Sequence, residues 1–216
     1  MRRKKIKDIW RFLYTQKMRK KLIDDKFVIV SSNCIGGCLL HDLGMPLDTP
    51  TVNITIPEFC TFCENLERYI NLEPKEGEIH QNGYPTAKLG GDIGLKEITI
   101  NCVHYESFSD FREAWLRRSG RMQQRIKEGY KIILFASDAQ LKENDAINRF
   151  HNLPYNKICF TSCISLYPEF VIVPRFIGQQ NVGDISAYAT MLKQARIFEK
   201  AIDCTQVINH MLDCST

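Results

Sequence analysis

Seven residues, Ser31-Ser32-Asn33-Cys34-Ile35-Gly36-Gly37, hold the densest set of groups able to do chemistry. They follow the apolar run Phe27–Val30 and precede a run that reads as a short helix, Cys38–Leu43. A strand-to-helix turn of this kind can aim backbone N–H groups and small hydroxyls at an anion or an oxyanion. Glycine lets the backbone approach a ligand and take positive φ. Asn33, Gly36 and Gly37 are therefore the candidate anion-binding residues. The turn is neither GxGxxG nor the Walker phosphate loop, and it lacks the GxSxG elbow. A tight connection with no ligand is the alternative.

Two nucleophiles sit in the turn. Cys34 would need a histidine to lower its thiol pKa, and His104, at the end of another apolar run, is the candidate base. Ser32, His104 and Asp138 would make an alternative nucleophile, base and orienting acid. Asp138 could also hold a divalent metal or a sugar hydroxyl, or cap the next helix. It is not part of a DxD, since Ala139 and Gln140 follow it. Arg118, Arg121 and Arg125 share a helix face at i, i+3, i+7, with Arg117 beside them. Guanidinium groups suit phosphate through paired hydrogen bonds, so Arg118 and Arg121 are candidate phosphate ligands. A solvated helix face is the other reading.

These residues need a frame that brings strand ends together. Strand signals fall at Phe27–Val30, Val52–Ile56, Ile98–Val103, Tyr130–Phe135, Lys157–Phe160 and Phe170–Val173. Helical periodicity covers 5–22, 58–72, 110–127 (with Ser109 as cap), 141–150 and, as one long helix or a helix pair, roughly 184–212. Residues 73–94, rich in Gly, Pro and charge, read as a loop or small hairpin. Strands alternating with helices predict an α/β fold, a mostly parallel sheet flanked by helices. In such sheets ligands bind beyond the carboxyl ends of the strands.

Charge is concentrated at one end. Residues 1–26 hold eleven Lys/Arg against three Asp, a net +8, so a total of +4 leaves the other 190 residues at −4. A nucleic-acid-binding body is not expected. The organisation read is a basic amphipathic helix, residues 1–25, before a single α/β domain, 26–216. Ile6, Ile9, Trp10, Leu13 and Tyr14 form its apolar stripe. Such a helix can lie in an anionic membrane surface through residues 1–22, or pack on its own domain. No stretch approaches the roughly 18–20 apolar residues of a membrane span. The nine cysteines have spacings that form no recognised zinc finger; buried free thiols are expected, with no metal ligands assigned and the cofactor left unknown.

Ser32-Asn33-Cys34-Ile35-Gly36-Gly37 after a strand resembles the opening signature of the bacterial domain of unknown function 1919. Thr49-Pro50-Thr51, Tyr84-Pro85, Val103-His104-Tyr105, Trp115 with Arg117, Arg118 and Arg121, and Leu153-Pro154-Tyr155 extend the resemblance over roughly residues 27–200. Proteins of that family are often labelled exopolysaccharide or capsule biosynthesis proteins. The resemblance implies an α/β fold and a cytoplasmic place at the inner membrane face. The expected activity is transfer of a glycosyl or acyl group, with a nucleotide-sugar or lipid-linked sugar as substrate. A carbohydrate esterase and a non-catalytic glycan- or partner-binding module are the alternatives.

Overall fold

A computed structural model describes residues 2–92, 94–189 and 195–213. In chain order the helices and strands are α1 (Arg2–Arg19), β1 (Phe27–Ser31), α2 (Ile35–Asp42), α3 (Phe59–Glu64), α4 (Leu66–Ile70), β2 (Lys75–Glu76), β3 (Thr86–Leu89) and β4 (Ile98–Asn101). They continue as α5 (Phe108–Lys127), β5 (Lys131–Ser137), α6 (Ala146–Asn152), β6 (Asn156–Thr161), β7 (Phe170–Ile172), α7 (Ile197–Ala201) and α8 (Cys204–Asp213).

Four strands form a parallel sheet in the order β1-β5-β6-β7. Alternation at period two divides its side chains between two cores. Val28, Val30, Leu134, Ala136 and Cys159 enter one core, with Phe59, Phe62, Tyr69, Phe111 and Trp115. Phe27, Ile29, Ile133, Phe135, Ile158 and Phe160 enter the other, with Met18, Leu39, Phe198 and Ile208. Each fully buried side chain of this size contributes about 1.5–3 kcal/mol. Trp115 is buried without an orphaned donor, because its Nε1–H reaches the Leu72 carbonyl at 3.0 Å.

Several expectations change in the structure. Val52–Ile56 is no strand: Thr55 alone bridges to Asn101. Residues 98–103 do not join the parallel sheet. Instead β4 closes a small antiparallel sheet, β2-β3-β4, whose first two strands come from the segment read as a loop or hairpin. Local alternation in 98–101 fits either sheet; only long-range pairing separates them. The helix at 58–72 breaks at Asn65, whose backbone leaves the helical region (φ −129°, ψ 35°). The cap of α5 is Ser107, accepting from the Asp110 N–H at 3.1 Å, and not Ser109. Of the helix or helix pair expected over roughly 184–212, residues 184–189 are irregular, 190–194 lie outside the described residues, and the remainder forms the pair α7 and α8.

Of the two settings expected for the apolar stripe of α1, the structure shows the outward one. Arg11 and Met18 are buried against the body, whereas Ile6, Ile9, Trp10 and Leu13 point outward. Arg11 ion-pairs with Asp42 at the end of α2, and Asp42 also accepts from Arg196 Nε at 2.5 Å. Arg196 donates to the Ser186 carbonyl at 2.6 Å, and its N–H holds Glu199 of α7. Burial raises the Glu199 pKa. One carboxylate, 1% exposed, thus joins α1, α2 and the segment before α7.

Asp42→Ala should leave two inward guanidinium groups without their carboxylate. Removing one member of a buried ion pair costs about 3–5 kcal/mol. The check is urea denaturation: a midpoint unchanged from wild type at equal slope would show that the network adds nothing.

Candidate functional site

Beyond the carboxyl ends of β1 and β5 lies a cleft of about 380 Å³. Asn33, Cys34, His104, Ser137, Gln140 and Asp184 are among its lining residues. Its position follows the rule for open α/β sheets. The β1 turn reaches it directly. His104 arrives from the other sheet, three residues past β4, because Thr55 and Asn101 exchange backbone hydrogen bonds at 2.9 Å. Ile56 N–H in turn donates to the Ser32 carbonyl at 2.9 Å.

The 31–37 turn is largely self-satisfied. Asn33 Oδ1 accepts the Ile35 N–H at 3.0 Å, and Ser31 Oγ accepts the Gly36 N–H at 3.2 Å. Two amides expected to face an anion therefore already have partners. Helix α2 begins three residues earlier than its apolar pattern suggests, so Gly36 and Gly37 lie inside it. Neither has positive φ. Gly36 instead permits close packing: a Cβ there would stand 2.7 Å from Ser31 Cβ and 2.8 Å from Ile29 Cγ2. At Gly37 it would meet Val52 Cγ1 at 3.2 Å.

Ser32 is fully buried, and its Oγ accepts the Ser137 N–H at 3.2 Å. The structure thus places it behind the cleft. Cys34 does line the cleft, but burial pushes its thiol pKa up to about 12, aided by Cys38 and Asp184. A thiol so placed stays protonated near neutral pH. Asp138 takes no place in the lining. Its Oδ2 accepts from Ser162 N–H at 2.8 Å and from the Thr161 and Ser162 hydroxyls, while Oδ1 accepts Val182 N–H at 2.8 Å. It anchors the 182–186 segment that forms the cleft's far wall.

The arginine face of α5 turns away from the cleft. Arg121 and Arg125 both hold the carboxylate of Asp48 at 3.0 Å. Arg121 also donates to the Leu47 carbonyl, and Arg118 donates to the Tyr105 hydroxyl. Neither Arg118 nor Arg121 lines the cleft. Their shared face was legible from spacing; the carboxylate that meets it, some seventy residues upstream, was not.

His104 is exposed at the cleft and has no hydrogen-bond partner among the described residues. From the turn, Asn33 Nδ2 donates to Ser137 Oγ at 3.1 Å and to Gln140 Oε1 at 2.9 Å. Ser137 Oγ donates to the same Gln140 oxygen at 2.6 Å. This triangle fixes three polar side chains against the wall. Sequence reading passed over Ser137, Gln140, Asp184 and Ser186. A polar residue ending a buried strand was the available signal for Ser137; the other three lie in segments without a motif.

A family profile described as Domain of unknown function (DUF1919) matches residues 5–209. An uncharacterized protein of Haemophilus influenzae is 29% identical over 185 residues, 83% of this chain and 83% of that one.

Gly36→Ala tests the close approach of α2 to β1. In an open helix the change would stabilise, since Gly costs about 1 kcal/mol relative to Ala. Here overpacking of about 1–3 kcal/mol should dominate. A melting temperature at or above wild type would remove the packing argument.

Proposed function

The chain belongs to the family of the domain of unknown function DUF1919, and from that premise we propose a transferase of bacterial surface-polysaccharide assembly at the cytoplasmic membrane face. It moves a glycosyl or acyl group between a nucleotide-linked or lipid-linked sugar and an acceptor hydroxyl. The observation that carries the reading is the cleft beyond β1 and β5, where His104, without a hydrogen-bond partner among the described residues, shares the lining with the oriented side chains of Asn33, Ser137 and Gln140. His104 takes the acceptor's proton as its oxygen bonds to the transferred carbon and the leaving-group bond breaks. Asn33, Ser137 and Gln140 orient sugar hydroxyls.

Direct transfer is favoured over a covalent intermediate. The Cys34 thiol is held protonated by burial, and Ser32 Oγ is buried in a hydrogen bond to the neighbouring strand. The same facts weigh against an esterase that uses Cys34 or Ser32 as its nucleophile. Arg118, which donates to Tyr105, and Arg121, held by Leu47 and Asp48, lie outside the cleft's lining, so neither takes the phosphate-binding role in this cleft.

The outward face of α1 supports the membrane half of the proposal. Ile6, Ile9, Trp10 and Leu13 are 47%, 57%, 43% and 51% exposed, with Lys17 and Lys20 exposed further along. Apolar side chains between cations suit an anionic lipid interface. Among the described residues no helix is long and apolar enough to cross a membrane.

The test is a thermal-shift screen against nucleotide-sugars, acyl-CoA and polyprenyl phosphates, followed by a turnover assay with each donor that stabilises. A donor at about 100 times its Kd adds about 2.7 kcal/mol. His104→Ala should then lower turnover about 10²–10⁴-fold at unchanged melting temperature. No stabilising donor rejects the transferase and leaves a glycan- or partner-binding module; full turnover by the variant removes His104 from the base role.

Trp10→Ser with Leu13→Ser should weaken cosedimentation with phosphatidylglycerol vesicles at least about tenfold, since burying one such side chain is worth about 1.5–3 kcal/mol. Both side chains point away from the body, so thermal stability should hold. Wild-type protein that ignores these vesicles at low salt would end the membrane claim.

A further inference from the structure

A second, larger depression adjoins the cleft. Along β3 and β4, Ala87, Leu89, Ile98 and Ile100 point into the core. The alternate residues face outward, and register pairs Thr86 with Asn101 and Lys88 with Thr99. These four side chains make the floor of a groove of about 830 Å³. Its wall is the segment from Glu76 to Gln81, fixed by the Thr86 hydroxyl donating to the Glu78 carbonyl.

The groove leads to the cleft. At its end Asn101 Nδ2 donates to Thr55 Oγ1 at 3.1 Å, and Thr55 lines the cleft. His104 lies three residues beyond Asn101. Lys88 Nζ is held on Thr99 Oγ1 at 3.0 Å, so the floor is pre-organised before any ligand arrives.

We infer that this groove binds the acceptor as a chain: a neutral oligosaccharide lies along the β3–β4 face with its terminal hydroxyl at His104. The inference rests on the transferase reading. Three observations select a glycan. The floor offers hydroxyl, amide and ammonium groups and the wall offers Glu76 and Glu78, so donors and acceptors alternate as a polyhydroxylated chain requires. Charges of both signs line the groove, and the residues after 26 carry a net −4, which disfavours a polyanion. The groove also lies on a sheet face. A peptide strand binds a sheet through main-chain groups at an edge, whereas a face presents side chains alone.

Full-length protein should be applied to immobilised bacterial surface oligosaccharides graded from monosaccharide to hexasaccharide. Neutral tetrasaccharides or longer are expected to bind at least tenfold more tightly than the monosaccharide. Thr99→Trp, which fills the floor without touching the core, should erase the length dependence and keep monosaccharide binding within twofold. Lys88→Ala is a second variant expected to reduce it. Absence of binding, binding with no length dependence, binding of polyanions alone, or length dependence unchanged in both variants overturns the inference. Donor stabilisation is read separately at the cleft. Glycan binding without any donor would retain the groove and reject the transferase; donor turnover without length dependence would do the reverse.

Discussion

Thr55 and Ile56 carry the backbone hydrogen bonds that join the two sheets. Ile56 N–H continues from the end of β1 through the Ser32 carbonyl, and Thr55 pairs with Asn101 at the end of β4. Buried backbone groups need partners, and here two strand ends find theirs on one segment. That constraint sets His104 across from the β1 turn. It also aligns the outer face of the antiparallel sheet with the cleft. Without it, nothing would hold β4 beside the end of β1, and His104 would not reach the cleft.

The other side of the parallel sheet depends on charge. Asp42 is almost fully buried yet meets Arg11 from α1 and Arg196 from the segment before α7. Tyr188 stacks under both guanidinium groups, at 5.2 and 4.5 Å from their centres to its ring. Buried charge persists only when paired and hydrogen-bonded. Because Arg196 also reaches the Ser186 carbonyl, the same network steadies the wall of the cleft that Asp138 fixes through Val182. Helix α1 is therefore anchored by an inward arginine, which frees its apolar stripe to face outward.

Most polar residues near the sheet ends serve the scaffold. Asp138 holds two loops, Asp48 gathers two arginines, and Ser32 links β1 to β5. His104 differs because the fold positions it and gives it no hydrogen bond among the described residues. It is exposed at the cleft beside the oriented side chains of Asn33, Ser137 and Gln140.

The sequence alone determined the α/β class, the strands of the parallel sheet, the long helix α5 and the polarity of the N-terminal segment. Those features follow from local periodicity and composition, which need no knowledge of distant partners. It also marked His104 and the β1 turn as candidates, since both stand where apolar runs end. Tertiary structure decided the rest. Val52–Ile56 alternates like a strand but serves as a junction, because its partners were Ser32 and Asn101. The same short alternating pattern of 98–101 suits either sheet, and pairing with β3 chose the small one. Arg121 reads as a phosphate ligand until Asp48 arrives from a remote loop, and the stripe on α1 leaves two settings open, a membrane surface or its own domain, until Arg11 claims the inward side. A polar group's role depends on what neutralises it, and that partner is set by the folded chain and not by its neighbours in sequence.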